Sequence, residues 1–358
     1  MENRYCVIMS GGIGRRFWPF SRTSCPKQFL DFFGSGRTLL QMTYDRLSRI
    51  IPTDHIFIVT NEAYAALTHE QLPEVAEERI LLESHRRNTA PCIAWATYHI
   101  KAIDPDAVVL VAPSDHLILR EDEFRRCIDE GFEFVARHDK LLTLGITPNR
   151  PETGYGYIQV GEPYEKEICS VKTFVEKPNY EMACVLLESG EFYWNSGMFL
   201  WSVSSITRAL ERYLPNVSSL FEQISDRMCT PDEKAAVDEA YNLCPVISID
   251  FGVMEKADNV CVMCADFGWS DIGTWGGLYD VSPKNAEGNV TQNCKTLMYD
   301  SRNNLVAVKG DRLVVIDGLS DFLVAEADDV LLICPKNNEQ RIRQFVTDAR
   351  VKFDDKYI

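Results

Sequence analysis

A run of glycines, a knot of cations and a few well-placed carboxylates are the residues of this chain whose types and spacing could handle a phosphate. Gly11, Gly12 and Gly14 fall within four residues. Glycine lets successive backbone N–H groups approach and line an anion site. Arg15, Arg16, Arg22 and Lys27 follow, in a chain whose charges sum to −16. Like charges gathered in this way ask for a polyanion, and a polyphosphate fits. Two familiar phosphate loops are excluded by spacing. Phe17 stands where a dinucleotide fingerprint needs its third glycine, and Lys27 is followed by Gln28 rather than Ser or Thr. A glycine turn bearing solvated arginines would explain the same residues. Asp115 lies just past the apolar run 107–111, where a carboxylate could hold Mg²⁺ or simply bond its own turn. Asn88 and Thr89 precede Pro91 at a helix start. They read either as a cap or as a polar edge against a purine.

The elements that must position these groups alternate. Apolar runs at 5–9, 56–59, 79–82, 107–111 and 140–144 read as buried strands, and helical spacing appears at 39–50, 62–71 and 121–138. That alternation predicts an α/β fold, a Rossmann-like, mostly parallel sheet flanked by helices. Ligands in such sheets gather at the carboxyl ends of strands. Further strands are expected at 157–160, 171–175 and 260–264, with helices at 180–187 and between 203 and 241, broken at Pro215. Beyond Asp280 short apolar runs at 305–308, 313–316, 322–325 and 330–333 are separated by turns such as Gly310-Asp311 and Asp317-Gly318. They predict a small β-helix closed by a helix at 338–349. Two domains are therefore expected, 1–280 and 281–358.

Composition narrows the function classes. At 358 residues with 46% hydrophobic content, the chain can bury an ample core. Its acidity argues against nucleic acid or an anionic membrane as a partner. No apolar run is long enough to span a bilayer, and the N-terminus lacks a signal-peptide core. Twelve cysteines show neither a disulfide framework nor a zinc pattern, and Cys261-x-x-Cys264 is the single close pair. Buried thiols in a reducing cytoplasm are the expectation.

The run Gly11-Gly12-Ile13-Gly14-Arg15-Arg16-Phe17-Trp18-Pro19-Phe20-Ser21-Arg22, followed by Pro26-Lys27-Gln28-Phe29, resembles the signature of sugar-phosphate nucleotidylyltransferases. Its Trp-Pro and Ser-Arg details are those of the mannose-1-phosphate guanylyltransferases, and the resemblance covers the whole chain. Asn88-Thr89-Ala90-Pro91, Ser114-Asp115-His116 and Asp266-Phe267-Gly268-Trp269-Ser270-Asp271 are similar to further segments of that family. Ser10, Phe17 and Ser114 depart from its usual Ala, Leu and Ala. The resemblance implies transfer of GMP from GTP to mannose 1-phosphate, giving GDP-mannose and pyrophosphate. It implies that Asp115 and Asp271 hold Mg²⁺, with Asp266 the rival of Asp271, and that Gly11, Gly12, Gly14, Arg16 and Lys27 meet the triphosphate. Arg16, Lys27, Asp115 and Asp271 are then the catalytic set, and Asn88 and Thr89 meet the base. By the same resemblance Gly156, Glu176, Lys177 and Asn195 bind the sugar phosphate, although a hairpin loop and a surface ion pair would account for Gly156 and for Glu176 with Lys177.

The family's short members carry a left-handed β-helix, and a homodimer without nucleic-acid or membrane partners is expected. Another sugar 1-phosphate such as fucose 1-phosphate, another nucleotide, or a catalytically silent regulatory subunit remain as alternatives. A glycosyltransferase is disfavoured because Asp104-Pro105-Asp106 precedes its strand instead of ending one.

Overall fold

The computed structural model describes residues 3–12, 14–310 and 312–358. Ile13 of the glycine run and Asp311 of the expected turn lie outside the described residues. Contacts divide the chain into two compact units that are not contiguous in sequence. One comprises the chain up to Gly11 with 44–113 and 118–269, and the other 12–43, 114–117 and 270–358. The expected boundary at 280 is a cut along the chain, whereas compactness gathers three separate segments into each unit.

The strands are, in chain order, β1 (Arg4–Met9), β2 (Ile56–Asn61), β3 (Ile80–Glu83), β4 (Val108–Pro113), the two-residue β5 (Leu117–Ile118), β6 (Leu141–Ile146), β7 (Gly156–Glu165), β8 (Ile168–Glu176), β9 (Phe192–Ser202), β10 (Val260–Ala265) and the two-residue β11 (Trp269–Ser270). Nine of them form the sheet of the first unit, in the order β3-β2-β1-β4-β9-β6-β10-β8-β7. The alternating half of the sequence yields the parallel neighbours: β1 pairs with β2 and β4, β2 with β3, and β6 with β10. These strands are apolar on both faces, as burial by helices requires. The other half is antiparallel, because β9 runs against both β4 and β6, and β7 and β8 form a hairpin. The sheet is therefore mixed. Trp194, Phe199 and Trp201 of β9 are buried, so these aromatics are core residues on a central strand. A helix from Thr89 to Ile103, apolar nearly all round, is buried against this sheet in the main core.

The second unit holds the glycine loop together with the β-helix. Its strands are β12 (Val290–Gln292), β13 (Lys295–Tyr299), β14 (Leu305–Val308), β15 (Leu313–Asp317), β16 (Phe322–Ala327) and β17 (Val330–Pro335). β12, β14 and β16 stack in parallel, as do β13 and β15, while β17 turns back antiparallel to β16. An asparagine ladder joins the rungs. Asn289 Oδ1 accepts from Asn304 N at 2.9 Å, and Asn304 Oδ1 accepts from Phe322 N at 2.9 Å. Such bonds satisfy turn backbone that the rungs would otherwise bury unpaired. Phe17, Phe20, Phe32 and Trp275 share one apolar core with Leu305, Leu323 and Ala325. The loop that carries the cations is thus packed onto the β-helix. The closing helix runs from Ile342 to Phe353, a few residues later than the spacing predicts.

All twelve cysteines are free. Only half of them are buried, and Cys229 is exposed, so the expectation of buried thiols fails for the rest. No helix among the described residues is long and apolar enough to cross a membrane.

Candidate active site

The polyphosphate cluster lies wholly within the second unit. Gly14 has φ 64°, and a Cβ there would stand 2.5 Å from Lys27 Cβ. Glycine is required on both counts. The following turn, Arg15–Phe17, buries Phe17 edge-on against Phe32, with ring centroids 4.7 Å apart. Pro26 opens a second short turn, Lys27–Phe29. This turn places the Lys27 side chain inside the protein, only 4% exposed. Its Nζ donates to Asp115 Oδ2 at 2.9 Å and to the Asp271 carbonyl. Gln28 Nε2 donates to Gly12 O at 3.0 Å and fixes the loop's entry. Thr43 Oγ1 donates to Ser114 O at 3.1 Å beside Asp115. Asp271 Oδ1 accepts from Gly273 N at 2.8 Å, an Asx turn that orients the carboxylate.

Burial alone would raise the Asp115 carboxyl. The Lys27 ammonium, with His116 adding to it, outweighs burial and holds the group below the usual aspartate range. Gly14, Arg16, Lys27, Asp115 and Asp271 line one cavity of about 540 Å³. Arg22 does not join them. It turns to the β-helix, donating to Ala327 O at 3.0 Å and pairing with Asp329 at 2.7 Å, so one of the four cations expected at the polyphosphate is structural. The exposed side chain of Asp266 pairs with Arg120.

A second cluster lies wholly within the first unit. Gly156 opens β7 directly opposite Glu176 at the end of β8, and a Cβ on it would meet Glu176 Oε2 at 2.6 Å. Lys177, with φ 49°, pairs back onto Glu176. Asn195 Oδ1 accepts from Thr143 Oγ1 at 2.9 Å, and its Nδ2 donates to Asp250 Oδ1 at 2.8 Å. Gly156, Glu176 and Asn195 are therefore neighbours around one carboxylate-rich patch. Asn88 and Thr89 serve the fold directly. Asn88 Oδ1 caps Thr89 N at 2.9 Å, and Thr89 Oγ1 accepts from Ile249 N at 2.9 Å. Gly11 lies in the same unit, where a Cβ would be 3.4 Å from Glu83 Oε2.

The nucleotidyl transferase family model matches residues 5–288, and a MannoseP isomerase/GMP-like beta-helix model matches 295–348. The chain belongs to the nucleotidyl transferase family. The mannose-1-phosphate guanylyltransferase of Escherichia coli K12 is 37% identical over 362 residues, covering 99% of this chain and 74% of the relative. A putative mannose-1-phosphate guanylyltransferase of Vibrio cholerae is 37% identical over 95% of this chain and 73% of its own length. Among solved structures, one described as mannose-1-phosphate geranyltransferase from Thermus thermophilus superposes with a TM-score of 0.87 at 32% identity, covering 97% of this chain and 99% of that one.

Two carboxylates of this nucleotidyl transferase escaped the sequence reading. Asp250 is raised to about 6, by burial first and by neighbouring Glu176 second, against the pull of Lys177. Its signal is a lone acid in the apolar run 246–254. Glu83, at the end of β3, is buried, and its Oε1 accepts from Tyr241 Oη at 2.9 Å. Burial pushes it up to about 7, with the Tyr241 hydroxyl and Arg86 opposing.

A raised carboxyl keeps its proton in the folded chain while the unfolded chain has already lost it, so stability falls as pH rises between about 4.5 and 7. The loss amounts to about 3 kcal/mol. Glu83→Gln retains an acceptor for Tyr241 and removes the titration. Denaturant melts should show the variant close to the parent at pH 4 and more stable by about that amount at pH 8. An equal difference at both pH values would contradict the burial argument.

Proposed function

We propose that this protein transfers GMP from GTP to mannose 1-phosphate, releasing pyrophosphate and GDP-mannose. The observation that carries the reading is the cavity of the second unit, where a buried lysine is gripped by Asp115 and the Asp271 backbone beside Arg16. The names of the E. coli and V. cholerae relatives support the choice of substrates. Two phosphate groups that repel one another must be brought into line, so charge neutralisation and positioning dominate. Arg16 and Lys27 neutralise the leaving pyrophosphate, and backbone N–H groups around Gly11, Gly12 and Gly14 receive the triphosphate. Lys177 holds the sugar phosphate, while Glu176 and Asn195 meet hydroxyls and Gly156 admits the sugar closely. The attacking phosphate oxygen is already ionised, so the chain needs no general base. Asn88 and Thr89 face the base, the Asn88 amide nitrogen being left over from capping.

Asp115 and Asp271 line the same cavity and offer the oxygen donors that a hard cation takes. They would hold Mg²⁺, which when bound supplies charge withdrawal from the α-phosphate. The test is pyrophosphate release with Mg²⁺, crossing four nucleoside triphosphates against mannose, glucose and fucose 1-phosphates. Release with GTP and mannose 1-phosphate supports the reading. Release confined to another pair moves the substrate, and no release from folded protein would sink it.

We also propose a cytoplasmic homodimer, the twelve free thiols supporting the compartment. On the outer face of the β13–β15 pair, Leu297, Tyr299, Leu313 and Val315 are 47–60% exposed in register. A contiguous apolar face of this kind marks an association surface. The double variant Leu297→Asp with Val315→Asp should sediment as a monomer. Sedimentation at the mass of the parent dimer would refute this face as the contact.

A further inference from the structure

The closing helix Ile342–Phe353 does more than seal the β-helix. Ile342 and Val346 anchor it in the second unit's core, 1% and 7% exposed. Residues 343 and 347 flank that buried edge, one helical turn apart. Arg343, Val346 and Thr347 line the cavity of about 540 Å³ shared by Arg16, Lys27 and Asp115. Arg343 makes no ion pair or hydrogen bond with any protein group among the described residues. The charge that acts on it is the Arg16 guanidinium, which lowers its affinity for its own proton. Arg16 likewise has no acidic partner among the described residues, in a chain with 53 acidic side chains. Two unpaired guanidiniums facing one cavity are an unfavourable arrangement until an anion lies between them.

We propose that Arg343 and Arg16 together clamp the β- and γ-phosphates of the nucleoside triphosphate and hold the pyrophosphate as it leaves. The inference rests on the reading of this cavity as the triphosphate site. The bond from the α-phosphorus to the bridging oxygen breaks as the sugar-phosphate oxygen bonds to that phosphorus. The departing pyrophosphate takes the electron pair, and no proton need move. The two fork-shaped cations sit where that extra negative charge appears, and a guanidinium suits it because two N–H groups can bind two phosphate oxygens at once. The helix that closes the β-helix then supplies a residue that touches substrate.

The clamp addresses the part of GTP that is absent from the nucleotide sugar. Calorimetric titration of Arg343→Ala with inorganic pyrophosphate and with GTP should show binding weakened about 10- to 100-fold. GDP-mannose, which keeps only the α-phosphate of GTP and lacks its β- and γ-phosphates, should bind the variant as it binds the parent. Arg343→Lys should recover part of the loss, since it restores the charge without the fork. Arg350→Ala, on the same helix but paired with Asp355, should bind pyrophosphate normally. Arg343 is exposed, and an unchanged melting temperature would separate the effect from unfolding. Parent-like pyrophosphate and GTP binding by Arg343→Ala, with Lys27→Ala impaired, would overturn the clamp and leave the proposed function standing. Parent protein that neither binds pyrophosphate nor releases it from GTP would overturn both.

Discussion

Lys27→Met is expected to lower turnover by about 10³-fold, the loss seen when a donor aimed at developing charge is removed from a water-poor site. The same change should destabilise the protein by about 3 kcal/mol, because it leaves the Asp115 carboxylate without its buried counter-charge. These two losses have separate origins and can be separated. In the parent, Lys27 holds the Asp115 carboxyl below its ordinary value. That contribution to stability is complete above the unfolded-state value and fades as pH falls through the lower folded one. In Lys27→Met burial is opposed mainly by His116, the carboxyl rises, and the variant's deficit against the parent shrinks as pH falls and the carboxyl is protonated. Adding Asp115→Asn should restore most of the stability, since an uncharged amide needs no ammonium beside it. Turnover should stay lost. Single-turnover pyrophosphate release and urea midpoints across pH 3 to 8 would read both quantities. Turnover of the single variant within about tenfold of the parent would remove Lys27 from the reaction.

Gly14→Ala carries the second large effect, and it acts through the same lysine. The residue is left-handed at φ 64°, and the new methyl would lie 2.5 Å from Lys27 Cβ and 3.3 Å from Lys27 N. The obstructing atoms belong to the start of a side chain and to backbone, so a rotamer change cannot clear them. Strain and overpacking together should cost about 2 to 5 kcal/mol. Whatever relaxation the loop finds must shift Lys27 relative to Asp115, and turnover should fall about 100-fold in the fraction that folds. Gly12→Ala is the matched control. Nothing stands within 4 Å of the methyl it would add, and its φ is unexceptional. Its stability should change by no more than about 0.5 kcal/mol. A weaker affinity for GTP in that variant would report backbone approach by phosphate. Equal melting temperatures for the two alanine variants would show that the Gly14 contact is not a constraint.

Much of this fold could be read in the residues themselves. The parallel strands β1 to β4 were legible because apolar runs alternate with helical spacing, and a two-sided buried strand leaves that trace. Strand β9 was not, because its aromatic-rich stretch interrupts the alternation with polar Asn195 and Ser196 and a glycine. The extent of β7 and β8 was also hidden, since a half-exposed hairpin lacks a continuous apolar run. The fate of Arg22 could not be seen, because it depends on Asp329, more than 300 residues away. Asp250 and Glu83 were missed for a related reason. A lone acid in an apolar stretch is conspicuous only when its partners, Asn195 and Tyr241, are known to be near. Arg343 falls outside every motif, and only the packing of the closing helix brings it to the cavity.

The second unit's discontinuity bears on how the chain is made. Trp18 Nε1 donates to Tyr357 O across 339 positions of sequence, and Trp275 Nε1 donates to Trp18 O across 257. Phe17 and Phe20 pack on Trp275, and their core is completed by residues from Ile272 onward. At a ribosomal rate of 5–20 residues per second, these early side chains wait roughly 15 to 70 seconds for their partners to emerge. During that interval the sheet of the first unit can assemble, while the cationic loop and its aromatics remain unburied. A nascent chain therefore presents a sticky, positively charged N-terminal segment long before it can grip a nucleotide. The cavity of the second unit is complete only after the helix Ile342–Phe353 has left the exit tunnel, and any arrest of synthesis before that point leaves the loop without its packing partners.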